Sequence, residues 1–198
     1  DWGFTYHKLD FLRAVYVNRQ AAFYDRSATR LEAYRRGLEA VRRGIGPGAY
    51  LSVCGGHYGG SLGLADAQRS GSDVTAMWSD PPALPKLKQN IYRTWMSRLW
   101  HVDPDAMMVR RRTQPISATR HGRLSLGLWT DDEARTITVN QYVGGGLVCF
   151  SDKFLELDAD RAALYRHVIP SVNAPATPVD YFRPGCPSVL RTFVRPRA

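Results

Sequence analysis

The chain has 198 residues, of which 44% are hydrophobic and 11% aromatic, and its formal net charge is +9 at pH 7. This length is sufficient for one domain with a proper core, and the composition is typical of a globular protein rather than a disordered one. The sequence contains no run of about 18 apolar residues, which a membrane-spanning helix would need. The start shows no signal pattern and no Met, which indicates a cytoplasmic protein and a piece of a longer one.

The positive charge raises nucleic acid as a possible partner, but the charge is spread along the chain. The only basic run is Arg110-Arg111-Arg112, and no known binding motif accompanies it, so nucleic-acid binding is not expected. The cysteines, Cys54, Cys149 and Cys186, are odd in number and lack metal-ligand spacing. Neither a disulfide scaffold nor a zinc site is therefore expected.

Strand and helix patterns alternate along the chain. In order, they predict a strand within 3–12, a helix at 29–43, a strand at 49–54, a short strand or turn within 64–72, a helix at 86–100, a strand at 106–109, a helix at 130–142, a strand at 147–150, and a last helix that Asp158 caps and Pro170 stops. Thr29 with Glu32 and Thr130 with Glu133 have the capping-box spacing.

This alternation indicates an α/β protein with parallel strands. A complete (β/α)8 barrel needs about 250 residues, so the chain is predicted to cover roughly the second half of one, about strands 4–8. Residues 1–170 would form this part of the barrel. Residues 171–198 are rich in proline and would be an extended linker leading toward a C-terminal β-rich domain.

The first strand brings Lys8 and Asp10 to one face, because side chains at i and i+2 of a strand point the same way. In parallel α/β folds, chemistry occurs at the carboxyl ends of the strands. Lys8 would lower the pKa of Asp10, which suits a nucleophile. The alternative is that Asp10 caps the next turn and Lys8 is a solvated edge residue.

A second carboxylate, Asp73, lies two strand–helix units after Asp10. Two carboxylates at the ends of nearby barrel strands are what glycoside cleavage requires, one as nucleophile or base and the other as proton donor.

Several segments resemble glycoside hydrolase family 36, the α-galactosidase (melibiase) family with its raffinose-synthase-like relatives. The resemblance covers roughly residues 3–182 and is collinear. The segments that carry it are Lys8-Leu9-Asp10-Phe11-Leu12, Leu51-Ser52-Val53-Cys54-Gly55-Gly56, residues 64–74, Trp100-His101-Val102-Asp103-Pro104-Asp105, Thr130-Asp131-Asp132-Glu133-Ala134-Arg135, residues 144–152 and residues 157–170.

The resemblance implies a retaining mechanism in which Asp10 is the nucleophile and Asp73 the acid/base. It also implies that Lys8, Cys54 and Arg69 bind the substrate. Gly55, His57 and Trp78 are further candidate substrate-binding residues. Arg69 would bind near the 2-hydroxyl of the sugar. Trp78 would stack on a sugar face, a core or rim position being its alternative. No metal or organic cofactor is implied.

Some residues depart from the family pattern. The family usually has Cys-Gly-Ser/Ala-Pro where this chain has Cys54-Gly55-Gly56-His57, and Val102 stands in place of Asn. His57 would bring a new hydrogen-bonding group beside Cys54 and change the preferred sugar. Its alternative is a histidine that packs on its own loop.

The sequence thus predicts a retaining glycoside hydrolase that acts on terminal α-galactosides. A transglycosylase of the raffinose-synthase type and a non-catalytic carbohydrate-binding relative are the alternatives. The isolated chain is expected to be inactive, because a part-barrel leaves strand edges uncovered. It would need the missing N-terminal part of the barrel, and it could form a homo-oligomer.

Overall fold

The computed structural model describes residues 2–74, 83–111, 129–172 and 174–194. The chain divides into two compact units. The first consists of Asp1–Arg69 with Arg98–His101, and the second of Ser70–Ser97 with Val102–Ala198. The predicted boundary between residues 170 and 171 stays a prediction.

The first unit alternates strands and helices. Its elements are β1 (Tyr6–Leu9), α1 (Ala14–Val17), α2 (Arg30–Ile45), β2 (Tyr50–Val53), α3 (Tyr58–Ser61) and β3 (Ala67–Arg69). The strands run parallel, with Lys8 opposite Ser52 and Ser52 opposite Ala67. The sheet has the order β1-β2-β3-β4, and β4 (His101–Asp103) begins in this unit.

Helix α2 begins at the predicted capping box. The Thr29 hydroxyl accepts from the Glu32 amide at 3.2 Å, and the Glu32 carboxylate accepts from the Thr29 amide at 2.7 Å. Gly46 ends the helix with a φ of 82°, which a residue with a side chain rarely adopts. The apolar face of α2 packs on the sheet and buries a core of Tyr34, Leu38, Leu51 and Val53.

In the part of the second unit that the structure describes, three longer segments of helix accompany two small sheets. Its elements are α4 (Ala83–Tyr92), β5 (Ala106–Met107), α5 (Asp131–Gly144), β6 (Cys149–Phe150), α6 (Ala159–Leu164), β7 (Thr177–Pro178) and β8 (Leu190–Arg191). Strands β5 and β6 are parallel, whereas β7 and β8 are antiparallel. A buried core includes Leu87, Met107, Val109, Trp129, Ile137, Tyr165 and Val168.

Two local predictions in this unit were wrong. The predicted helix 86–100 ends at Tyr92 and is followed by the 3-10 helix Thr94–Arg98, where Trp95 is 52% exposed. Asp158 lies at the start of α6 but makes no capping hydrogen bond. Its carboxylate instead accepts from the Arg111 guanidinium at 3.0 Å, a charge-assisted bond.

The predicted α/β class with parallel strands is confirmed, while the described residues do not form a closed barrel. Within those same residues, no helix is both long enough and apolar enough to cross a lipid bilayer.

Candidate active site

Three polar side chains meet at the carboxyl ends of the first three strands. Asp10 directly follows β1, Cys54 directly follows β2, and Arg69 is the last residue of β3. Leu9 lies opposite Val53, and Val53 lies opposite Gln68. One residue further along each strand, Asp10, Cys54 and Arg69 therefore form a row on one face of the sheet.

The Asp10 carboxylate is surrounded by donors. The Cys54 thiol and the Phe11 amide both donate to it, the latter at 2.6 Å. These two hydrogen bonds, followed by the charges of Arg69 and Lys8, lower the pKa of Asp10 against the opposing effect of burial. Lys8 thus acts in the predicted direction, but it is the weakest cause, because the thiol and the amide bind the carboxylate directly.

Cys54 links Asp10 to Arg69. Its side chain is 6% exposed, and its sulfur accepts from Arg69 Nη1 at 3.4 Å. Burial, assisted by the neighbouring Asp10 carboxylate, raises the pKa of the Cys54 thiol to about 11. The thiol therefore keeps its proton at neutral pH and remains a donor to Asp10.

The turn after Cys54 depends on glycine at two positions. Gly55 has a φ of 64°, in the left-handed region, and its carbonyl accepts from the Tyr16 hydroxyl at 3.3 Å. A Cβ at Gly56 would lie 2.3 Å from the Tyr34 hydroxyl. Val53 Cγ1 of β2 lies equally close, at 2.3 Å. Side chains of α2 and β2 therefore occupy the space that a Ser or Ala would need, which explains the glycine at this position of the family pattern.

His57 makes contacts within its own loop. Its Nδ1 accepts from the Gly60 amide at 2.9 Å, and its ring meets those of Tyr16 and Tyr34 edge-on. These contacts agree with the alternative that His57 packs on its own loop. A contact between His57 and a sugar stays a prediction.

Asp73 lies in the second unit, in the segment 70–74 that follows β3, and it is exposed. The Ser72 amide donates to Gln89 Oε1 at 2.8 Å, and the Val74 amide donates to Asp105 Oδ2. Gln89 lies outside the motifs of the sequence, and Asp105 ends the segment 100–105, but nothing in the sequence predicts that either residue holds segment 70–74. The predicted pairing of Asp73 with Asp10 stays a prediction, and Trp78 lies outside the described residues.

Two other carboxylates have structural partners. Asp66 Oδ2 accepts from Arg42 Nη2 at 2.6 Å and from the Leu51 amide at 2.7 Å. Asp103 Oδ1 accepts from the Asp105 amide at 2.9 Å. In the part of the chain that the structure describes, no three His, Cys, Asp or Glu side chains group in a way that could hold a metal ion.

Comparison with known proteins gives no matching protein-family model and no matching curated protein. Among solved structures, the chain is similar to the α-galactosidase of Thermus thermophilus in complex with stachyose. This match has 28% identity and a TM-score of 0.62, and it covers 82% of this chain and 34% of that chain.

The same enzyme in complex with p-nitrophenyl α-D-galactopyranoside matches with 26% identity and a TM-score of 0.65. This match covers 96% of the present chain and 36% of the other. The chain therefore spans about a third of the length of the enzyme that it matches. The resemblance to α-galactosidases that the motifs indicate is confirmed.

Proposed function

Because this chain is related to an α-galactosidase, we propose that it supplies part of the catalytic (β/α)8 barrel of a retaining glycoside hydrolase that cleaves terminal α-galactosides. The observation that carries the proposal is the row of Asp10, Cys54 and Arg69 at the carboxyl ends of three parallel strands. In a barrel of this type, that end of the strands forms the active site. The other strands would come from further polypeptide.

In the first step, the Asp10 carboxylate attacks the anomeric carbon of the galactoside. The bond from that carbon to the leaving oxygen breaks, and Asp73 donates its proton to this oxygen. In the second step, the Asp73 carboxylate takes a proton from a water molecule, whose oxygen attacks the same carbon and releases Asp10. Each step inverts the anomeric centre, so the product retains the α configuration.

The surroundings of Asp10 suit this role. A nucleophilic carboxylate must be ionised, and the Cys54 thiol and Phe11 amide stabilise the charged form by hydrogen bonds. Lys8 and Arg69 add positive charge beside it and would bind sugar hydroxyls. The backbone of Arg69 is held as well, since its carbonyl accepts from the Tyr58 hydroxyl at 3.3 Å.

The test is to measure hydrolysis of a panel of aryl α-glycosides by the intact enzyme, with NMR detection of the first sugar released. We expect the α-galactoside to be the best substrate and α-galactose to appear first. β-Galactose as the first product, or preference for another sugar, would contradict the proposal. Added acceptor sugars would reveal a transglycosylase by a transfer product that replaces free galactose. The cytoplasmic location stays a prediction.

A further inference from the structure

We propose that Gln89 and Asp105 are positioning residues for Asp73, and that together they hold the backbone on both sides of it in the orientation needed for proton transfer. The inference rests on the proposed function, because it takes Asp73 as the acid/base. It adds two residues that lie 16 and 32 positions further along the chain and belong to neither of the motifs around Asp10 and Asp73.

The two backbone amides that flank Asp73 bind side-chain oxygens. The Ser72 amide donates to Gln89 Oε1 at 2.8 Å, and the Val74 amide donates to Asp105 Oδ2. Short segments outside helices and strands normally leave such amides to water. Two side chains that bind the amides on either side of Asp73 instead fix the direction in which the Asp73 side chain leaves the backbone.

Helix α4 and Arg93, the residue that follows it, hold the beginning of the same segment. The Ser70 hydroxyl donates to Asn90 Oδ1 at 2.7 Å, and Arg93 Nη1 donates to the Ser70 carbonyl at 2.5 Å. A Cβ at Gly71 would lie 2.7 Å from Asn90 Oδ1, so the backbone approaches the helix as closely as glycine allows. Residues 70, 72 and 74 are therefore all anchored, and Asp73 lies between two of these anchors.

Asp105 is itself held in a conformation that a non-glycine residue seldom adopts, with a φ of 73°. Its amide donates to Asp103 Oδ1 at 2.9 Å, and Lys86 Nζ lies 3.8 Å from its Oδ2. The Lys86 and Asp105 side chains are only 7% and 15% exposed. Residues in such unusual conformations persist where their surroundings fix them, and they cluster at functional sites.

This role has a specific kinetic signature. An acid catalyst matters most when the leaving group is a poor one, because a basic alkoxide must be protonated as its bond breaks. A dinitrophenolate leaves without protonation. Loosening Asp73 should therefore slow the cleavage of alkyl α-galactosides and spare that of dinitrophenyl α-galactoside, whereas general damage to the fold would slow both.

The experiment measures kcat/KM of the intact enzyme for methyl α-galactoside and for 2,4-dinitrophenyl α-galactoside. For Gln89→Ala and Asp105→Ala we expect kcat/KM to fall about tenfold or more for the methyl substrate and less than about twofold for the dinitrophenyl substrate. This is the size of effect expected when a general acid is moved out of position. Gln89→Glu and Asp105→Asn keep the acceptor oxygen, and Asn tolerates the left-handed conformation. These two matched variants should retain the wild-type ratio.

Equal losses on both substrates, or no loss on either, would overturn the positioning role. Asp73→Ala is the reference, because it should show the largest ratio between the two substrates. If Asp73→Ala itself shows no dependence on the leaving group, the proposed acid/base assignment fails. If the loss depends on the leaving group in Asp73→Ala but not in Gln89→Ala, only the positioning proposal fails.

Discussion

Around Asp10, hydrogen-bond donors point at the carboxylate, because the Cys54 thiol and the Phe11 amide both bind it. Around Asp73, side-chain acceptors bind the backbone, because Gln89 and Asp105 accept from the neighbouring amides. The residues around Asp10 stabilise its negative charge, and the residues around Asp73 fix the position of its backbone. This difference matches the requirements of a nucleophile, which must be ionised, and of an acid, which must be placed beside the leaving oxygen.

The largest expected effect is that of Asp10→Ala. Without the nucleophile, the intact enzyme should lose at least about 10⁴-fold in kcat, as other enzymes do when a covalent nucleophile is removed. The loss should be similar for methyl and dinitrophenyl α-galactosides, since the attack is lost for both. Steady-state assays with both substrates measure this. A loss confined to the methyl substrate would assign Asp10 the acid's role and reverse the comparison.

Cys54→Ala should change the pH dependence. The thiol is the main cause of the lowered Asp10 pKa, so its removal raises that pKa. The carboxylate is the active form, and activity is lost as pH falls through the pKa of Asp10. The acidic limb of the kcat/KM profile should therefore move to higher pH, and the loss of activity should be largest on that limb rather than at neutral pH, where the carboxyl stays ionised.

Cys54→Ser is the matched control for this prediction, because its hydroxyl can still donate to Asp10. Its acidic limb should lie close to that of the wild type. An unmoved limb in Cys54→Ala would show that the thiol does not hold Asp10 ionised.

Two glycine substitutions should distinguish the role of the segment after Cys54 from that of the segment around Asp73. A Cβ at Gly56, two residues after Cys54, would clash with the Tyr34 hydroxyl and Val53 Cγ1, and one at Gly71, two residues before Asp73, would clash with Asn90 Oδ1. Each alanine should destabilise the protein by about 1–3 kcal/mol, the usual cost of overpacking. Gly71→Ala should slow the hydrolysis of methyl α-galactoside selectively, whereas Gly56→Ala should slow the hydrolysis of both substrates alike. Urea unfolding and the two assays measure these effects.

The smallest effect is expected for Gly59→Ala in α3. There the new Cβ would have its nearest neighbour, a ring atom of His57, at 3.5 Å, which is an ordinary contact. The free energy of unfolding should change by less than about 0.5 kcal/mol, as for most surface substitutions. A cost equal to that of Gly56→Ala would mean that the clashes with Tyr34 and Val53 are not what makes Gly56 necessary.

Much of the Asp10 site could be predicted from the sequence, because it depends on local patterns. Parallel strands that end at Leu9 and Val53 bring Asp10 and Cys54 side by side, and the capping box at Thr29 fixes where α2 begins. The contacts that hold the segment around Asp73 could not be predicted from the sequence. It joins Ser72 to Gln89 and Val74 to Asp105 by tertiary contacts that leave no periodic signal.

The proposed mechanism gives Asp10 and Asp73 separate roles, and azide rescue tests these roles directly. In Asp10→Ala, azide would attack the substrate itself in one inversion and give β-galactosyl azide. In Asp73→Ala, it would attack the glycosyl-enzyme and give α-galactosyl azide after two inversions. NMR of the two products should show these opposite configurations. The same configuration from both variants, or the reverse pair, would contradict the account.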